Sequence, residues 1–194
     1  FAGALAPTLL GISWLIALSV SKDFAFVLAT YYAVSCAYSF ILKRLVLLDC
    51  LVLASLYTLR VIAGAAAISI NTSFWLLTFS VFLFLSLAFV KRFVELQELS
   101  ETKKGNVLSG RNYSIEDKAL IQTLGVTSGF LSTLVLALYI DSTASGELYS
   151  LPEMVWGAVG IVLFWINWIW LKANRKEMHD DPVVFAITDA VSLV

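Results

Sequence analysis

The chain is poor in the groups from which soluble enzymes usually build their chemistry. Its 194 residues include one histidine, His179, two cysteines, Cys36 and Cys50, and only 14% charged side chains, against about 25% in soluble domains. A lone histidine leaves no His-based catalytic constellation, and two cysteines without a CxxC spacing give neither a disulfide framework nor a zinc-thiolate site. The Walker spacing GxxxxGK[ST] is missing as well, which excludes a soluble P-loop enzyme. No Pro- or Ser-rich linker, low-complexity tract or short-period repeat divides the chain, so one domain over 1–194 is expected. The chain opens on Phe1 with no basic stretch ahead of its first apolar run, and nothing there resembles a signal peptide. The expectation is a domain truncated at its N-terminus.

What the chain has in abundance is apolar length. Hydrophobic residues make up 60% of it and the mean hydropathy is +0.88, well above the roughly 45–50% apolar content of soluble domains. Six windows, about 5–20, 24–42, 46–69, 74–94, 118–140 and 152–171, approach the ~20 apolar residues that cross a bilayer. None shows the period-two alternation of a membrane barrel strand. Backbone polar groups in lipid must be satisfied within their own segment, so the fold expected is all-α, a polytopic transmembrane helical bundle with six spans.

The bases are distributed unevenly along the loops. With residue 1 inside, eleven of the thirteen Lys and Arg lie in inside segments: Lys43 and Arg44, then Lys91, Arg92, Lys103, Lys104, Arg111 and Lys118, then Lys172, Arg175 and Lys176. Lys22 falls outside, and Arg60 lies within a span. The opposite turn at 141–150 carries Asp141 and Glu147 and no base. By the positive-inside rule both ends of the chain are expected on the cytoplasmic side of an inner or plasma membrane. The bilayer is the expected partner, and nucleic acid is not.

Arg60 is the exception that points to chemistry. At about 100° per residue Asp49, Leu53, Leu56, Arg60, Ala63 and Ala67 share one stripe of the third span, with Tyr57 and Gly64 beside it. Counted from Leu48 at ~1.5 Å per residue, Arg60 stands about 18 Å deep. A guanidinium there costs a few kcal/mol unless it meets a partner or a wet cavity, and such residues are functional by default. Two readings remain: a bundle-fixing pair, or a fork of donors for phosphate.

The fourth span ends in Lys91-Arg92 followed by Glu95 and Glu98. Lys91, Glu95 and Glu98 share a face at i, i+4, i+7, and Arg92 neighbours Glu95 at i+3. Carboxylates a turn apart at a membrane boundary suit Mg²⁺ with substrate phosphates, or form ordinary exposed pairs with the bases. The connection 97–117, with Lys103, Gly105, Gly110 and Arg111, is either a binding loop or a solvated connector.

Four stretches together resemble the UbiA superfamily of intramembrane prenyltransferases, closest to its polyprenyl-phosphate phosphoribosyltransferase branch. They are Tyr38-Ser39-Phe40-Ile41-Leu42-Lys43-Arg44 with Leu48-Asp49; Leu59-Arg60-Val61-Ile62-Ala63-Gly64-Ala65; Val90-Lys91-Arg92 with Glu95-Leu96; and Asp181-Pro182-Val183-Val184-Phe185-Ala186 with Asp189. The resemblance covers the last two-thirds of such a protein and implies part of a nine-helix bundle around a cavity open to lipid. It further implies a Mg²⁺-dependent transferase that moves 5-phosphoribose from phosphoribosyl pyrophosphate to a polyprenyl phosphate such as decaprenyl phosphate, for cell-wall arabinan synthesis. The family's first acidic motif would lie just upstream of Phe1. In place of the second motif's aspartates stand Lys91-Arg92 and glutamates, a pattern that fits the phosphoribosyl branch better than the aromatic-acceptor one.

On that resemblance Lys91, Arg92 and Lys103 are expected at donor phosphates, and Lys43, Arg44 and Arg60 at anionic groups deeper in the cleft. Tyr57 is expected at a ribose hydroxyl, and Glu95 and Glu98 are the metal candidates. A phosphate acceptor is already an anion, so no general base is required, and the expected catalysis is neutralisation of the departing pyrophosphate. The rival readings are a prenyltransferase with an aromatic acceptor, in a quinone or haem pathway, and a non-enzymatic transport or scaffold module.

Overall fold

In the computed structural model, residues 2–102, 105–141, 152–178, 181–189 and 191–192 are described. Their order is α1 (Ala2–Val20), α2 (Lys22–Phe40), a 3-10 turn (Leu42–Arg44), α3 (Leu48–Ala67), α4 (Phe74–Thr102), a second 3-10 turn (Ile115–Asp117), α5 (Lys118–Asp141), α6 (Pro152–Asn174) and α7 (Pro182–Thr188). Among the described residues there is no strand, only an isolated antiparallel bridge between Val107 and Ser114. The fold is the all-helical membrane bundle that the apolar windows predict. Four helical segments, Leu48–Ala67, Phe74–Glu101, Ile115–Asp141 and Val155–Asn174, are long and apolar enough to cross a membrane. The first window gives a shorter apolar stretch, Thr8–Val20. The second gives α2, where Lys22, Asp23 and several hydroxyl residues dilute the hydropathy.

Consecutive helices pack side by side, and α4 is the hub, resting chiefly on α5 and next on α3. Its buried face carries Phe89, Val90, Phe93 and Leu96, which meet Ile121 of α5, Ile166, Ile169 and Trp170 of α6, and Cys50 of α3. The outward faces carry exposed Leu, Ile and Phe, as lipid-facing surfaces must. Helix α4 outlasts its apolar window: it continues to Thr102, two turns past the predicted end at 94. That extension holds Glu95 and Glu98 on a rigid helix rather than in a loop.

Where α5 packs on α4 and α6, glycine makes a close approach possible. A Cβ on Gly125 would stand 2.2 Å from Trp170 Cζ2 and 2.7 Å from Phe89 Cβ. The indole is not free to retreat, because its Nε1 donates to Ser86 Oγ at 3.2 Å. Small residues at helix contacts in lipid serve this purpose. We therefore expect Gly125→Ala to destabilise the detergent-solubilised protein by about 1–3 kcal/mol, seen as a lower melting temperature. Gly64→Ala, whose Cβ would meet nothing within 4 Å, should not be destabilised.

Candidate functional site

One end of the bundle gathers the charges. Asp49, in the first turn of α3, and Arg92 of α4 are both completely buried, and Arg92 Nε donates to Asp49 Oδ2 at 2.6 Å. Arg92 Nη1 also donates to Glu95 one turn on. The second oxygen of Asp49 accepts from the hydroxyl of Tyr113, itself fully buried, and the same hydroxyl accepts the Leu47 N–H at 2.7 Å. Leu47 has φ 66°, a conformation costing a non-glycine residue about 1–3 kcal/mol, and its bond to Tyr113 helps to hold it there. Burial foremost, with the Cys50 thiol and the Asp49 carboxylate beside it, pushes the Tyr113 phenol above its ordinary value. It therefore stays a proton donor.

Arg111 closes this network from the loop. Its Nη1 stands 3.7 Å from Asp49 Oδ2 and its Nε 3.7 Å from Glu95 Oε2, and Nη1 also donates to Tyr38 Oη at 3.3 Å. Asn112 Nδ2 donates to the Arg44 carbonyl at 3.0 Å. The described part of the long connection is thus latched onto α2, α3 and α4, with its backbone pinched by Leu108 N to Tyr113 O at 2.7 Å and Ile115 N to Asn106 O at 3.0 Å.

Beside the network a narrow cleft of about 10 Å³ is lined by Leu53 and Tyr57 of α3, Phe84, Leu87, Ala88 and Lys91 of α4, and Asp181 and Pro182. Lys91 Nζ donates to Asp181 Oδ2, and both side chains remain about one-third exposed, at 33% and 29%. The segment that brings Asp181 here is anchored again at its far end: Trp168 Nε1 donates to Asp189 Oδ2 at 2.9 Å, and Ser192 caps the same oxygen. That indole N–H foremost, with the Ser192 donors, holds Asp189 below the usual carboxylate value.

Deeper along α3, Arg60 donates from Nη2 and Nε to Tyr31 Oη of α2, at 2.6 and 3.2 Å, and its guanidinium lies 4.7 Å from the Tyr57 ring centroid. Tyr57 in turn stacks on Phe84 at 5.0 Å. Two phenols therefore take the place of a carboxylate. A cation over an aromatic face gains about 0.5–2 kcal/mol, which offsets part of the few kcal/mol that an intramembrane arginine costs. Arg60 keeps an exposed surface.

The structure thus brings Tyr57 and Lys91 to one cleft, and Arg60 meets it only through the outer contact of its guanidinium with the Tyr57 ring. Lys43 is half-buried and Arg44 exposed at the same end of the bundle, and neither forms an ion pair among the described residues. Lys103 lies outside the described residues. Arg92, expected at a donor phosphate, has no exposed surface, and its Nε and Nη1 are held by Asp49 and Glu95. Neither is the Arg92–Glu95 pair an ordinary exposed one, since the arginine lies wholly in the core.

Mg²⁺ finds no ligand set in these residues. Among the described residues no group of three or more His, Cys, Asp or Glu converges. Glu95 is shared by Arg92 and Arg111, and Glu98 lines a separate groove with Gln97, Glu101 and Lys176. The described residues do not fit the ion. Asp181 and Tyr31 were not singled out by sequence reasoning as members of a site, whereas Arg111 and Tyr113 lie in the loop read as a phosphate-binding candidate and are instead held in the buried ion-pair network. The partner of Tyr31 lies 29 positions away and that of Asp181 lies 90 away, and of these two only the Asp181 stretch carried a signal, as one of the four family-like segments.

The profile of the UbiA prenyltransferase family matches residues 1–189. An uncharacterized protein, y4nM, of Sinorhizobium fredii is 38% identical over 177 residues, covering 91% of this chain and 34% of its own length. The nodulation protein NoeC of Azorhizobium caulinodans is 34% identical, covering 86% of this chain and 54% of its own length. The decaprenyl-phosphate phosphoribosyltransferase of Mycolicibacterium smegmatis is 32% identical, covering 85% and 51%. The chain spans between about a third and about half of the length of these relatives.

Breaking a buried pair by removing one partner costs about 3–5 kcal/mol, whereas replacing both partners with apolar groups is often neutral. Asp49→Leu should therefore destabilise the protein strongly in thermal denaturation, and adding Arg92→Met should recover most of the loss. If the double variant is no more stable than Asp49→Leu alone, the two residues do not act as a pair.

Proposed function

The chain belongs to the UbiA prenyltransferase family, and from that premise we propose that it is part of a membrane enzyme transferring 5-phosphoribose from phosphoribosyl pyrophosphate to a polyprenyl phosphate of the decaprenyl type, for cell-envelope arabinan precursors. The observation that carries the proposal is the cleft that places the Lys91 ammonium beside Tyr57, with Arg60 stacked on the same phenol. The likeness to the decaprenyl-phosphate phosphoribosyltransferase supports the choice of donor and acceptor.

In this reading Lys91 is a point charge for the donor pyrophosphate at the cleft, and Lys103 a second one from the loop. Arg60 presents its fork to an anionic group deeper in the cleft, and Lys43 and Arg44 meet the lipid phosphate at the bundle end. The polyprenyl phosphate oxygen attacks the anomeric carbon from the lipid side. The bases stabilise the pyrophosphate that leaves, most strongly where water is excluded. Tyr57 orients a ribose hydroxyl while its ring supports Arg60. Arg92 is assigned to the buried network instead of the donor.

Magnesium belongs to the proposal only for the intact protein, with carboxylates from outside the described residues, because Glu95 and Glu98 do not form a site. The basic end, and with it both ends of this chain, is assigned to the cytoplasmic face by the positive-inside rule.

Radiolabelled phosphoribosyl pyrophosphate given to membranes with the intact protein and polyprenyl phosphate should label lipid. Isoprenyl diphosphate should not prenylate hydroxybenzoate, and the reverse outcome would assign the protein to the aromatic-acceptor branch. Arg60→Ala should lower lipid labelling by about 100-fold or more, the usual cost of one preorganised charge donor, without altering gel-filtration behaviour. Ser55→Ala, exposed on the same helix, should leave labelling unchanged.

A further inference from the structure

The carboxylate of Asp181 has no obvious place in a cleft meant for pyrophosphate. It lies beside the lysine assigned to the donor, in the wall formed with Tyr57 and Pro182, and keeps 29% of its side chain exposed. An ionised carboxylate only accepts hydrogen bonds, so at this wall it repels phosphate oxygens and attracts hydroxyl or ammonium groups. Its ion pair with Lys91 fixes its direction.

The position is built rather than incidental. Phe185, one turn into α7, packs against the hydrophobic core, and its N–H is bonded to the Asp181 carbonyl at 2.9 Å. Asp189 then ties the end of the segment to Trp168 of α6 at 2.9 Å. Anchors on both sides hold Asp181 on the cleft, so its carboxylate is presented by a docked segment and not by a loose tail.

We propose that Asp181 is the specificity-determining residue for the donor, accepting a hydrogen bond from a sugar hydroxyl while Lys91 meets the adjacent phosphate. The pair then reads two neighbouring features of one ligand, a hydroxylated ring and an anionic arm, as acidic side chains do when they bind a ribose diol next to a pyrophosphate. An isoprenyl diphosphate offers no hydroxyl, so for that donor class the carboxylate is only a repulsion. Discrimination arises from the unfavourable contact as much as from the favourable one. This inference rests on the phosphoribosyl reading of the cleft and adds the group that would enforce it.

The test is a donor-by-residue cycle on the intact protein in membranes. Transfer is measured with phosphoribosyl pyrophosphate and with its 2-deoxy and 3-deoxy analogues, for the wild type and for Asp181→Ala. In the wild type kcat/KM should fall by about 10- to 100-fold for the analogue lacking the recognised hydroxyl, the usual scale of a hydrogen bond to a charged group. In Asp181→Ala the natural donor should lose activity while the ratio between natural and deoxy donors collapses toward one. A merely structural aspartate would lower every donor equally and leave the ratio intact, and that result overturns the inference while sparing the phosphoribosyl reading. Should Asp181→Ala not assemble, the same ratio is read in Asp181→Leu, which keeps most of the volume and has no acceptor. A wild type that accepts isoprenyl diphosphate and ignores phosphoribosyl pyrophosphate overturns both.

Discussion

The buried pair between Asp49 and Arg92 is the contact on which the rest of the site depends. Neither residue has exposed surface, and charges removed from water are costly unless partners offset the lost hydration, although Arg92 Nη2 is left without a hydrogen-bond partner among the described residues. Arg92 therefore recruits Glu95, and Asp49 recruits Tyr113 and Arg111. That requirement converts a helix contact into a junction where α3, α4 and the loop before α5 meet. The strained Leu47 at the start of α3 belongs to the same junction, since its N–H ends on Tyr113.

A division of labour among the bases follows. Arg92 is spent on holding the helices, whereas Lys91, its neighbour in sequence, points to the other side of α4 and meets the cleft. Adjacent helical positions are about 100° apart, so one dipeptide serves both the core and the cavity. Arg60 stands further along α3, stabilised by the phenols of Tyr31 and Tyr57 and, among the described residues, by no carboxylate. A guanidinium satisfied only by neutral groups keeps its full charge toward an incoming anion.

The helical bundle and the polar stripe of α3 were legible in the sequence because both are local periodicities. Arg60 and Tyr57 are three positions apart, a little under one turn, and that spacing alone predicted that they are neighbours on α3. The i, i+3 relation of Arg92 and Glu95 was legible too, but their burial was not. Whether a base at a membrane boundary points to water or into the core depends on a partner 43 positions away, Asp49, and periodicity carries no such information. The run to Thr102 escaped for a related reason: hydropathy drops at Lys91, yet Glu, Leu and Gln are good helix formers, so the helix outlives the span. The connection 97–117 left two readings open. Its described part is a latched segment whose arginine and tyrosine complete the ion-pair junction.

The central claim is that Lys91 faces the donor and Arg92 faces the protein. A single transfer assay on the intact protein decides it, comparing Lys91→Ala with the double replacement Asp49→Leu and Arg92→Met, each first shown to be folded. The account predicts that the apolar double variant keeps phosphoribosyl transfer within a few-fold of wild type, while Lys91→Ala loses about 100-fold or more. Full activity in Lys91→Ala, with loss confined to the double variant, would contradict it.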